Sequence, residues 1–251
     1  MKTISWNVNG LRAVYKKGFL SWFEKENPAI LCLQEIKVQT EDLPKELKNP
    51  KDYFVFFDVA AKKGYSGVAV YSKTKPQKIA LNIGLKRFDD EGRFLQLDFS
   101  DFILINIYLP YGGRGKENLE YKLKCYEALF KHLKQLKNKK IILVGDFNIA
   151  HTELDLAQPK QNKNNIMFTK EEREKIDELL KIGFVDSFRQ FHKEGGHYSW
   201  WSHYYNARAR NLGWRIDYCF VSKSLVPKLK STFILKDVMG SDHAPVGIEI
   251  T

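Results

Sequence analysis

The stretch Gly145-Asp146-Phe147-Asn148 follows directly on the apolar run Ile141-Ile142-Leu143-Val144. A glycine, a carboxylate and an amide at a strand exit are poor strand formers but good loop and site residues. A plain strand cap would use the same residue types, so the rest of the chain has to decide. The pattern recurs along it. Asn7-Val8-Asn9-Gly10 ends one strand-like run, Gln34-Glu35 ends another, and Tyr108 closes a third. Asp217 lies within Trp214-Arg215-Ile216-Asp217-Tyr218, and Ser241-Asp242-His243 stands just before the final run. Carboxylates without a Cys/His cluster suit a hard, oxygen-preferring cation, Mg2+ with Mn2+ as its substitute. None of the six histidines has the fixed spacing of a zinc site. There is no G-x-x-x-x-G-K-[ST] loop, which excludes P-loop chemistry, and no G-x-S-x-G elbow, which disfavours acyl transfer. Metal-assisted hydrolysis of a phosphodiester remains: one carboxylate on the metal, another for the water proton, an imidazole on the phosphate oxygens.

Such groups need strands that deliver them to one place. Apolar runs read as strands over residues 3–6, 30–33, 68–71, 102–109, 141–144, 215–221 and 246–250. Leu119, Leu123, Tyr126, Phe130, Leu133 and Leu136 recur at spacings of four and three, an apolar stripe on a helix. Thr169 with Glu172 reads as a capping box for a second helix whose Ile176, Leu179 and Leu180 face inward. Strand-like and helical stretches alternate without a linker, repeat or low-complexity tract, so a single α/β domain over residues 1–251 is expected. Alternation along an extended chain would point Asp146 and Asn148 the same way and turn Phe147 into the core.

Composition narrows the partners. Hydrophobic residues make up 43% of the chain, enough for a sizeable core and against wholesale disorder. Lysine and arginine exceed the acids by 41 to 30, a net charge of +11 that favours a polyanion. An odd count of three dispersed cysteines argues against a disulfide framework and for a reducing compartment. No signal-peptide core or membrane-length apolar run is present, so a cytoplasmic protein is expected, nucleoid-associated if prokaryotic. Lys137, Lys139 and Lys140 follow the long helix and read as its solvated, dipole-compensating end.

Five motifs occur in register: Ser5-Trp6-Asn7-Val8-Asn9-Gly10-Leu11-Arg12, Leu33-Gln34-Glu35-Ile36-Lys37, Gly145-Asp146-Phe147-Asn148, Trp214-Arg215-Ile216-Asp217-Tyr218 and Ser241-Asp242-His243-Ala244-Pro245. Together they resemble the exonuclease III family of apurinic/apyrimidinic (AP) endonucleases, within the endonuclease/exonuclease/phosphatase superfamily. The resemblance implies a four-layer sandwich: two mixed β-sheets packed face to face and flanked by helices, with the strand-end loops at one rim. It implies a Mg2+-dependent cut 5′ to an abasic site in double-stranded DNA, with 3′-end trimming besides, by a monomer. By position, Glu35 is the principal metal ligand, with Asn7, Asn9 and Asp242 nearby or linked through water. Asp146 activates the attacking water and Asn148 orients it. His243 touches the phosphate and is held by Asp217, while Tyr108 hydrogen-bonds the phosphate or leaving oxygen. The proton of the water could go to Asp146 or to His243. Asn9 replaces an aspartate found in some members, which should weaken metal binding without abolishing it. Ile4 stands where certain members carry a redox-active cysteine, and no basic N-terminal extension is present, so repair chemistry alone is expected.

Residues 198–205 gather six polar-tipped rings. Trp201 reads as core-facing. Trp200 and Trp214, with Ile216, match family positions that wall a small apolar pocket, suited to a flipped-out sugar lacking its base. Arg114, Asn162, Asn165 and Asn206 fall in loops resembling those that grip DNA. Two other readings stand beside this one: a superfamily relative acting on phosphoinositides or sphingomyelin, and a catalytically silent DNA-binding module.

Overall fold

Each apolar run named above becomes a strand over most of its length, because both of its faces are buried. The computed structural model describes residues 1–251. Its strands begin with β1 (Lys2–Asn7), β2 (Ile30–Gln34), β3 (Phe54–Asp58), β4 (Val68–Ser72), β5 (Lys78–Ala80), β6 (Phe94–Asp98) and β7 (Ile103–Tyr108). They continue with β8 (Ile141–Asp146), β9 (Phe184–Asp186), β10 (Trp200–Trp201), β11 (Gly213–Trp214), β12 (Asp217–Ser222), β13 (Leu229–Ile234) and β14 (Val246–Ile250). The helices are α1 (Leu11–Tyr15), α2 (Phe19–Glu26), α3 (Lys45–Lys48), α4 (Lys86–Asp90), α5 (Leu119–Gln135), α6 (Lys170–Ile182) and α7 (Ser187–Phe191).

Two six-stranded sheets form, in the orders β13-β14-β1-β2-β4-β3 and β5-β6-β7-β8-β12-β9, with β10 and β11 as a separate ribbon. Both sheets are mixed. β1 runs parallel to β2 and antiparallel to β14, and β8 runs parallel to β7 and antiparallel to β12. Alternation along β8 explains the layers. Ile142 and Val144 meet Cys32, Val70 and Ile248 of the facing sheet, whereas Ile141 and Leu143 meet Tyr126, Phe130 and Leu179 of α5 and α6. On the other side, Trp6, Leu31 and Tyr71 pack under Leu11, Phe19 and Phe23 of α1 and α2. The four-layer sandwich expected from the resemblance is the architecture observed. Each fully buried aliphatic side chain between the sheets contributes about 1.5–3 kcal/mol, so sliding one sheet over the other is costly.

Some local readings change. The run 215–221 is a strand only from Asp217, because Gly213–Trp214 pairs instead with Trp200–Trp201. β3 and β13 escaped the sequence reading because their faces are only half covered, and β6 because Gln96 and Asp98 interrupt its apolar run. The buried face of α5 is Lys122, Cys125, Tyr126, Leu129, Phe130 and Leu133, so Leu119, Leu123 and Leu136 border it rather than centre it. The capping box at Thr169 and Glu172 forms as expected. All three cysteines are buried and free. No helix is long and apolar enough to cross a membrane.

Candidate active site

Parallel pairing sets β1 beside β2, Asn7 against Gln34, and β7 beside β8, Tyr108 against Asp146. The antiparallel β12 starts at the same level, with Asp217 opposite Asp146. Six strand ends, counting the approach to β14, therefore meet at one rim. The backbone has to come close here: a Cβ at Gly145 would collide with the Ile107 carbonyl oxygen of the neighbouring strand. One side-chain amide bridges the two sheets at this rim. Asn7 Nδ2 donates to Asp146 Oδ2 across the sandwich (2.8 Å) and to Glu35 Oε2 within its own sheet (2.9 Å).

Glu35 and Asn9 both adopt left-handed backbone, φ 56° and 46°. Such conformations persist only where surrounding contacts enforce them. The Gly10 N–H donates to the Glu35 carbonyl at 2.8 Å, and this clamps the two turns together. The Lys37 ammonium lies 2.7 Å from both Glu35 Oε1 and Asn9 Oδ1. Those oxygens thus already converge on one cation-sized position, and the donors around it are oxygen alone. This set fits a hard divalent ion. Asp242 is engaged at both oxygens, by Asn9 Nδ2 (2.9 Å) and Trp200 Nε1 (3.0 Å), so in this arrangement it steadies Asn9.

His243 is buried. Its Nδ1 lies 2.9 Å from Asp217 Oδ2 and its Nε2 lies 4.0 Å from Asp146 Oδ2. Burial opposes the charged ring, but Asp217, then Asp146 and Asp242, outweigh it and raise the imidazole to about 10. Asp146 shifts upward too, by burial and by the nearby Asp217 carboxylate, against the pull of His243. Tyr108 is raised by burial and by Glu35, and so keeps its phenolic proton as a donor. Ser199 is a positioning residue that sequence reasoning missed. Its hydroxyl donates to Asp217 Oδ2 (2.6 Å) and accepts from the Ile216 and Asp217 N–H groups.

Phe147 enters the core as expected, but Asn148 does not continue an extended chain. Its φ of 52° turns the backbone, and its N–H donates to Asp146 Oδ1 at 2.8 Å. An Asx turn, not strand alternation, brings Asp146 and Asn148 to the same side. Asn148 Nδ2 then reaches Asp146 Oδ2 (3.1 Å) and the Leu109 carbonyl (2.9 Å).

The chain matches the Endonuclease/Exonuclease/phosphatase family over residues 4–243. It belongs to that family. An exodeoxyribonuclease of Bacillus subtilis is 47% identical over 100% of this chain and 99% of its own length. A DNA-(apurinic or apyrimidinic site) endonuclease of Dictyostelium discoideum is 44% identical over 100% of this chain and 70% of its own. Among solved structures, a 3′ phosphatase from Neisseria bound to product DNA hairpin superposes with a TM-score of 0.92 at 29% identity, covering 100% of this chain and 99% of that one.

Beside the acidic rim, this member of the endonuclease/exonuclease/phosphatase family carries an apolar cluster. Trp200 and Trp214 face each other across β10 and β11 and pack on buried Ile216, with Leu156, Met167 and Phe168 completing the wall. Those last three were not read from the sequence, since an isolated Met or Phe after a polar loop carries no periodic signal. Trp201 is core-facing as expected. The remaining loop residues stand apart from the buried cluster. Arg114, Asn165 and Asn206 are exposed, Asn162 is half-buried, and Asn165 Nδ2 donates to Asn162 Oδ1 at 3.0 Å. Lys122, on the buried face of α5, is the other missed group. Its ammonium donates to the Asn148 carbonyl (2.6 Å), the Tyr111 carbonyl (3.2 Å) and Glu172 (2.5 Å), and so ties the Asn148 turn to the loop that carries Arg114.

Proposed function

We propose that this protein is a divalent-metal-dependent class II AP endonuclease that hydrolyses the phosphodiester 5′ to an abasic site in double-stranded DNA, with processing of blocked 3′ ends as a side activity. One observation carries this reading. The apolar cluster and the acidic rim meet at Trp200, whose Nε1 donates to Asp242 and whose ring lies 6.4 Å from that of His243. A sugar without its base can rest on Trp200, Trp214 and Ile216 while its phosphate reaches His243. A lipid headgroup makes poorer use of such an apolar surface. The net charge of +11 suits the duplex, with Arg114, Asn162, Asn165 and Asn206 on exposed loops to meet its backbone.

Within that reading, Glu35 with Asn7 and Asn9 would hold the metal and Asp242 would steady them. Magnesium is the expected ion and manganese its substitute. When bound, the ion supplies Lewis-acid stabilisation of charge on the phosphate. Asp146 takes a proton from the attacking water, whose oxygen bonds to phosphorus as the bond to the leaving 3′ oxygen breaks. An imidazole kept charged by Asp217 is a poor base, which favours Asp146 as acceptor and His243 as the cation on the phosphate. Asn148 orients the water, and the Tyr108 phenol donates to the phosphate or leaving oxygen. Every group comes from one chain, which supports action as a monomer and as one unit over residues 1–251.

The test is a duplex oligonucleotide bearing one tetrahydrofuran abasic analogue, incubated with Mg2+ and with EDTA. A magnesium-dependent nick 5′ to the lesion is expected. Its absence, or equal cutting of undamaged duplex, overturns the assignment.

A further inference from the structure

The segment after α7 carries a second constellation, which the phosphodiester site does not use. His192, Glu194 and His197 offer ligand atoms that all lie within 4.8 Å of one another. Glu194 Oε1 is 2.8 Å from His197 Nε2 and 3.7 Å from His192 Nδ1. The turn that gathers them passes through Gly195 and Gly196, the latter left-handed at φ 86°. The fold thus gathers two histidines whose spacing in the sequence had not marked a zinc site.

Several contacts hold the three side chains in place. Glu194 Oε2 accepts from the Lys193 N–H (3.0 Å), which leaves Oε1 facing both rings. The Phe188 ring stacks on His192 at 4.3 Å between centroids and meets the edge of His197 at 5.4 Å, so one aromatic platform orients both imidazoles. The nearest guanidinium, Arg189, is engaged with the His192 and Glu194 carbonyls and with Asp155, and makes no ion pair with Glu194. The rings remain about one-third exposed, 32% and 37%, so an ion can enter from solvent.

We infer that His192, Glu194 and His197 form a second metal site, for a borderline transition cation of the zinc class. Two imidazole nitrogens and one carboxylate oxygen are a zinc donor set that leaves one position for water. Magnesium and calcium prefer oxygen alone and are poorly served here. Tetrahedral zinc with bonds of about 2.0–2.1 Å spaces its ligands roughly 3.3 Å apart. The observed 2.8 and 3.7 Å bracket that value, so small side-chain rotations close the site. Asn211 Nδ2 donates to the Gly196 carbonyl at 3.0 Å, and Ser199 follows His197 by two residues. An ion here would brace the start of the segment that carries Ser199 and Trp200.

The full-length protein, stripped with chelator and kept in millimolar Mg2+, is titrated with zinc against a chromophoric chelator. One zinc equivalent is expected at this site. The His192→Asn/His197→Asn double variant should bind it at least tenfold more weakly, and Glu194→Gln should fall between. Histidine ring 15N spectra report which imidazoles respond, and circular dichroism checks that the variants fold. Zinc-induced shifts at His192 and His197 support the site. Unchanged zinc affinity in the double variant, or shifts confined to His243, overturn it.

Discussion

Asp217→Asn separates charge from shape at the centre of the site. The amide keeps an oxygen for the Ser199 hydroxyl and for His243 Nδ1–H, but removes the anion 2.9 Å from the ring. The His243 pKa rises from 6.5 to about 10 in the wild type. At 1.36 kcal/mol per pH unit, this is on the order of 5 kcal/mol in favour of the imidazolium, gained against the opposing effect of burial. Asp217 is the largest favourable cause. Without it, burial and the residual pull of Asp146 and Asp242 should leave the ring near or below its ordinary value. A pKa of about 6 leaves roughly 3% of the ring charged at about pH 7.5, a loss of roughly thirtyfold from protonation alone. The sign follows: a raised pKa keeps the wild-type cation through neutral pH and loses it only as pH climbs through about 10, whereas the variant loses it already above about 6. Single-turnover nicking of the abasic duplex from pH 5.5 to 9, together with 15N spectra of the ring, measures both quantities. The variant should show an acid-shifted optimum, with its rate falling about tenfold per pH unit above the new pKa. An imidazole still protonated at about pH 8, or an unshifted profile, would refute the reasoning.

Glu35→Gln should raise the magnesium concentration needed for half-maximal nicking about tenfold or more; an unchanged requirement would remove Glu35 from the metal position. Lys122→Met leaves the Glu172 carboxylate buried and unpaired, which should cost about 3–5 kcal/mol in urea unfolding, and much less when Glu172→Gln accompanies it. A single-variant cost below about 1 kcal/mol would contradict that. Asp155 is opposed by burial, but Arg215 (2.7 Å) and Arg189 (2.5 Å) hold its carboxyl well below the usual range. Its stabilising contribution is therefore complete above about pH 4, the ordinary value, and lost as pH falls towards the folded one. Asp155→Asn should lower Tm at neutral pH and flatten the Tm profile between about pH 4 and 2; parallel profiles for the two proteins would count against this.

The sequence made the strand ends legible because a doubly buried strand is a run of aliphatic residues, and the polar residue that breaks it is conspicuous. Asp146, Asp217, Glu35 and Asn7 stood out for that reason. Lys122 did not. A lysine on an amphipathic helix reads as solvated, and only the Asn148 and Tyr111 carbonyls and Glu172, far apart in sequence, explain its burial. Ser199 was hidden among the rings of the aromatic segment, since a hydroxyl gives no pattern. The turn at Asn148 depends on a side-chain-to-backbone hydrogen bond that two-residue alternation mimics. Local period, in short, finds elements and their ends, whereas contacts between distant segments have no periodic trace.

The Asn7 amide, reaching over the sandwich to Asp146, bears on when this chain becomes dangerous. Asn7 belongs to β1, which is synthesised before every other strand of this fold. Asp146 is made seven strands later, at the end of β8, and Asp242 and His243 come only just before β14, which pairs with β1. A partly synthesised or half-folded chain owns some of the reacting groups but not the frame that aligns them. The ability to cut DNA therefore arrives in one step, when β14 closes on β1. The fold thereby doubles as a safety interlock for a hydrolase of this family.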